Sequence, residues 1–103
     1  MQTHTAKRVE IIIEQVMLRR LTEALTSAEV TGWSVLPVLG GSGRSGSWSR
    51  EGQISRGTGM VQVICLIRPE RLDQLLDAAF AVVERHIGVI SVTDTEILRA
   101  ERF

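Results

Sequence analysis

The 103-residue chain has one cysteine, two prolines, no tyrosine and no asparagine, and among its twelve basic residues only Lys7 is a lysine. A single thiol, Cys65, excludes an intramolecular disulfide framework and any metal site built from several cysteines. No apolar run approaches the roughly 20 residues of a membrane-spanning helix. Met1 to Lys7 also lacks the apolar centre of a signal peptide. The expectation is a soluble cytoplasmic protein that does not insert into a membrane. Twelve acidic residues balance the basic ones, so no global field draws the chain to nucleic acid. Eleven arginines nevertheless offer planar, bidentate contacts to phosphate or carboxylate that lysine cannot copy.

With 44% hydrophobic residues, the length suits one core, and residues 1–103 are expected to form a single domain. Lys7 to Glu14 reads as a strand, because Val9, Ile11, Ile12 and Ile13 are β-branched. From Gln15 to Ala28, Met17, Leu21, Ala24, Leu25 and Ala28 recur at helical spacing, opposite Arg19, Arg20, Glu23 and Thr26. Trp33 to Leu39 resumes an extended pattern, and Pro37, which cannot donate a ladder hydrogen bond, places that strand at a sheet edge. Met60 to Ile67 is apolar on both faces and reads as a central strand. Pro69 opens a second helix with Leu72, Leu75, Leu76, Ala79, Phe80 and Val83 as its buried stripe. His86 to Gly88 stops it, with Gly88 able to take a left-handed conformation, and Val89 to Leu98 is the last strand.

The order is βαββαβ, the α+β ferredoxin-like arrangement, with the first and third strands central and both helices on one sheet face. The second face is then left to self-association, which predicts a homo-oligomer.

Gly40 to Gly59 holds seven glycines, five serines and three arginines, with Trp48 at its tip. So long a connection in a small domain points to a binding loop, expected to be flexible over about 40–58. Gly41-Ser42-Gly43-Arg44-Ser45-Gly46 matches G-x-G-x-x-G in letters. A dinucleotide site also needs a helix immediately afterwards and an acid about 20 residues on, and neither is present. Glycine backbone beside Arg44 can still converge on an anion. Its alternative is a solvated hairpin. Arg44, Arg50 and Arg56 recur every six residues around Trp48, and an exposed tryptophan is a common interface anchor. Arg99 and Arg102 follow the last strand, within reach of an anion or of Glu96 and Glu101. Cys65 reads as a core residue rather than a nucleophile, and His4 as part of a disordered tail. No catalytic or metal-binding constellation is present.

Thr31-Gly32-Trp33-Ser34-Val35 leading to Gly41-Ser42-Gly43-Arg44, with a long loop before the third strand, resembles the PII signal proteins, in which a T-G-x-T-V strand runs into G-x-G-R and the T-loop. The resemblance covers almost the whole chain. It implies a non-enzymatic homotrimer that binds adenine nucleotides between subunits and engages a target protein through the T-loop. Carried over by position, Ser34 meets the adenine, Gly41 and Gly43 offer backbone, and Ile67 lines the base pocket. Gly88 lies in the phosphate-binding turn, Arg44 sits at the loop base, and Arg99 or Arg102 meets phosphate. Trp48, Arg50 and Arg56 belong to the partner-binding loop.

The departures direct the reading further. Ser45 replaces the glutamine that supports Mg-ATP and 2-oxoglutarate in the classical proteins, no lysine follows Gly88, and no tyrosine serves for uridylylation. The chain is therefore more similar to the PII-like proteins associated with bicarbonate transporters or carboxysomes. That implies AMP or ADP as ligands ahead of ATP, bicarbonate as a second ligand, and a transporter, enzyme or carboxysome component as target. Alternatives are a classical nitrogen-regulatory role or a ligand-independent docking module. An acylphosphatase-like hydrolase would need an asparagine, which the chain lacks.

Overall fold

The computed structural model describes residues 1–43, the backbone of 46–49, residues 59–99 and residue 101. Among them, these elements follow in order: β1 (His4–Glu14), α1 (Leu18–Ser27), β2 (Trp33–Val38), β3 (Gly40–Gly43), β4 (Gly46–Ser49), β5 (Met60–Ile67), α2 (Leu72–Val83) and β6 (Gly88–Ile97). The main sheet has the order β2, β5, β1, β6, with antiparallel neighbours throughout. The first and third strands of the βαββαβ pattern are thus central, and Pro37 lies on the edge strand β2 as its missing N–H requires.

Register decides which side chains share a face. Val9, Ile11 and Ile13 of β1 stand opposite Cys65, Val63 and Val61 of β5, and all six are buried. Leu21 and Leu25 of α1 and Leu75, Ala79 and Val83 of α2 close the core over that face. Each helix is entered through one 3-10 turn, Gln15–Met17 and Pro69–Arg71. The opposite face carries Ser34, Leu36, Ile64, Leu66, Arg8, Glu10, Ile12 and Val89. Charges there pair among themselves: Arg8 donates to Glu10 at 2.6 Å, and the Gln62 amide donates to the other oxygen of Glu10. Leu36, Leu66 and Val89 remain exposed on it.

Four expectations are corrected. His4 is not in a loose tail but begins β1, opposite Ile97, because β6 is long enough to extend the ladder to it. Phe80 is 57% exposed rather than part of the α2 stripe, which Leu75, Ala79 and Val83 already fill. The Gly40 to Gly59 connection is not wholly irregular, since β3 and β4 pair as a hairpin with Gly41 opposite Trp48. Gly88 takes no left-handed conformation. The space around it explains the glycine: a Cβ there would lie 2.8 Å from the Ile12 carbonyl oxygen and 3.0 Å from Val83 Cγ1. The left-handed residue is Glu29, with φ 64°, in the turn after α1.

Candidate functional site between β2, β5 and the end of β6

The turn between α1 and β2 delivers the first wall of a groove. The Val30 N–H donates to the Leu25 carbonyl at 2.9 Å, and buried Val30 anchors the chain before it emerges as Thr31-Gly32. Gly32, Trp33 and Ser34 line one side of an open groove of about 630 Å³, Ile64 and Leu66 its floor, and Ile97, Leu98 and Arg99 the other side. Ser34 stands opposite Ile64 in the ladder, so its hydroxyl shares a face with the apolar floor. The Arg99 guanidinium is 3.4 Å from Glu101, both about two-thirds exposed, 68% and 69%. Such a pair is weak in water and exchanges readily for a better-placed anion. Apolar walls with one hydroxyl and one guanidinium suit a flat, apolar ring bearing an anionic end.

A second group of candidate residues sits at the other end of the sheet. Gly88 faces Ile13, whereas Ile97 faces His4, so Gly88 and the Arg99 end of β6 are separated by about 30 Å of strand. The turn before Gly88 is tied to β1: the Ile87 N–H donates to Glu14 Oε1 at 3.2 Å, and His86 Nδ1 lies 3.7 Å from the same oxygen. Next to it, the Gln15 N–H donates to the Gly59 carbonyl at 2.8 Å, fixing the exit of the glycine-rich connection. Gly41 and Gly43 lie in the exposed strand β3, which follows β2 after one residue, Leu39.

Of the residues singled out by sequence, the groove brings together Ser34 and Arg99. Ile67 is not with them. It is 6% exposed on the helix-covered face and borders a separate cavity of about 120 Å³ with Glu29, Arg68 and Arg71. The β5 residues that reach the groove are Ile64 and Leu66, whose signal was the second apolar face of that strand. Arg44, Arg50, Arg56 and Arg102 lie outside the described residues, as does the side chain of Trp48. The G-x-G-x-x-G letters fall on the β3 and β4 hairpin, with Gly46 starting a strand. Among the described residues no cluster of His, Cys, Asp or Glu could hold a metal, and no helix is long and apolar enough to cross a membrane.

Cys65 lies in the core, where burial pushes its thiol from 9.0 up to about 11. An unfolded chain ionises this thiol near 9.0 while the folded chain keeps it protonated, so stability falls as pH rises through that interval. The expected result is a thiol silent toward Ellman's reagent until denaturant is added. Cys65→Val should lessen the loss of stability between pH 9.0 and about 11 in chemical denaturation.

Residues 6–102 match the family model described as nitrogen regulatory protein P-II. Among curated proteins nothing matches. CPII, a nitrogen regulatory PII-like protein from Thiomonas intermedia K12 solved with ADP, AMP and bicarbonate, is 25% identical with a TM-score of 0.89 over 99% of this chain and 96% of that one. The same protein bound to ADP and bicarbonate is 27% identical, with a TM-score of 0.84 over 99% and 97%. A PII-like signalling protein of Thermus thermophilus, at 17% identity and a TM-score of 0.78 over 100% and 99%, shares the fold. The chain therefore belongs to the nitrogen regulatory P-II protein family, and within it is a divergent PII-like protein resembling CPII.

Proposed function

We propose that the chain is a non-enzymatic, trimeric adenylate sensor that binds ADP or AMP, takes bicarbonate as a second ligand near Gly41, Gly43 and Arg44, and regulates a target protein of inorganic-carbon metabolism through its T-loop. The observation that carries it is the separation of the two residue groups. Ser34 and Arg99 line one groove, while Gly88 stands about 30 Å away along β6, far beyond the reach of one nucleotide. A site using both groups must be assembled from two subunits. The open sheet face supports this, because Leu36, Leu66 and Val89 are exposed beside self-satisfied charges and a second copy would bury them.

In the assembled site Ile64 and Leu66 hold the base and Ser34 supplies a hydroxyl for orientation. Arg99 leaves Glu101 for phosphate, joined by Arg102, while the Gly88 turn of the neighbouring subunit and its loop base close over the rest. Ordering a glycine-rich loop costs about 1 to 2 kcal/mol per residue, so phosphate and bicarbonate contacts offset that cost and couple ligand to loop conformation. Support for these ligands comes from CPII, solved with ADP, AMP and bicarbonate.

The test is calorimetric titration with AMP, ADP and ATP, each with and without bicarbonate. Micromolar binding of an adenylate is expected, with bicarbonate altering the affinity. Arg99→Ala with Arg102→Ala should weaken adenylate binding about tenfold, the loss of roughly one charge-assisted contact. Absence of heat with all three nucleotides refutes the sensor reading.

A further inference from the structure

The turn that carries Gly32, Trp33 and Ser34 into the groove is held in place by a different helix. Glu29 adopts φ 64°, a conformation that non-glycine residues avoid because Cβ crowds the carbonyl. Sequence convention would put glycine here, and the nearest one, Gly32, stands three residues later. What replaces the missing glycine is a clamp from the start of α2. Arg71 Nη2 donates to the Ala28 carbonyl at 3.4 Å and to the Glu29 carbonyl at 3.2 Å. Gln74 Nε2 donates to the same Ala28 carbonyl at 2.9 Å, and the Glu29 carboxylate lies 3.7 Å from Arg71. Two consecutive carbonyls at the end of α1 are thereby oriented by side chains more than forty residues away in sequence.

We infer that Arg71 and Gln74 are positioning residues for the groove: they hold Glu29 left-handed and so set where Gly32, Trp33 and Ser34 stand against Ile64 and Leu66. The inference rests on the adenylate-sensor reading and adds to it the residues that pre-organise one wall of its site. Arg71 does not border the groove itself. It borders the smaller cavity behind the wall, which shares only Gly32 and Leu66 with the groove. Its effect on a ligand passes through the turn. Without the clamp, the turn is free to leave the left-handed conformation, and apparent affinity falls by the fraction of chains that remain competent.

Glycine offers an independent way to satisfy the turn, since it takes positive φ without a Cβ penalty. This separates positioning from direct contact. ADP is titrated calorimetrically into the full chain and into Arg71→Met, Arg71→Met with Glu29→Gly, and Arg71→Lys, and amide hydrogen exchange is followed across Val30 to Ser34. Arg71→Met should weaken ADP binding about tenfold and speed exchange across Val30 to Ser34, as expected if about one chain in ten keeps the competent turn. Arg71→Lys, which donates without the planar fork, should fall between. Adding Glu29→Gly should return ADP affinity to within about twofold of the parent and slow the exchange again. Unchanged ADP affinity in Arg71→Met alongside faster exchange overturns the inference. So does a loss of affinity that Glu29→Gly fails to restore, which would make the guanidinium a direct ligand contact. If the parent chain binds no adenylate, the sensor reading fails by itself, and exchange in Arg71→Met still judges the clamp: unchanged protection of Val30 to Ser34 overturns it.

Discussion

Ile11→Ala loses about 2 to 5 kcal/mol of stability, the range for truncating a fully buried aliphatic side chain and leaving a cavity behind. Ile11 has no exposed surface and stands mid-strand in β1, opposite Val63 on one side and Ile90 on the other. Both neighbouring strands are held by backbone ladders, so the site cannot collapse to fill the space. In a chain of this size each kcal/mol lowers the melting temperature by about 4 to 8 °C, which makes the loss readable by calorimetry or circular dichroism. Protomer concentration has to be held constant, because association shifts the midpoint by mass action. Ile12→Ala is the control. Ile12 lies on the opposite face and is only half-buried, so its loss should be clearly smaller. Equal losses at the two positions would contradict the assigned faces.

Gly88→Val costs about 3 kcal/mol, at the upper end for overpacking, because the first atom added meets backbone. A Cβ at Gly88 would sit 2.8 Å from the Ile12 carbonyl oxygen, which belongs to the central strand, and 3.0 Å from Val83 at the end of α2. A flexible side chain could turn away, whereas a ladder carbonyl cannot. Relief has to come from shifting the start of β6, and that displaces the turn whose Ile87 N–H is bound by Glu14. Gly32→Ala and Gly43→Ala meet nothing within 4 Å and should leave the melting temperature nearly unchanged. A Gly88→Val protein as stable as these two would show that the approach of β6 to β1 is looser than the register implies.

The ferredoxin-like arrangement was legible because local patterns agreed with one another. β-branched residues in β1 and β5, helical spacing in α1, Pro37 at the edge and Pro69 before α2 all favour the same elements. Ser34 and Arg99, singled out by motif and position, both line the groove. Ile64, Leu66, Ile97 and Leu98 were not assigned to the groove, since no local pattern says which strand will lie beside which. Phe80 was misplaced for a related reason: the period that marks a helix face cannot tell a stripe from its margin, and packing against Leu75, Ala79 and Val83 leaves Phe80 outside.

By itself, then, the sequence determined the order of elements, the edge position of Pro37, the burial of Cys65 and the family, because each depends on neighbours within a few residues or on short motifs. Tertiary structure alone decided the rest. It sent Ile67 into the core and Leu66 to the groove, a consequence of the two-residue period of β5 against helices packed on one face only. It separated Gly88 from Arg99 along one strand. It also gave Glu29 its left-handed turn, since the donors that hold it, Arg71 and Gln74, come from an element that meets α1 only once the sheet has formed.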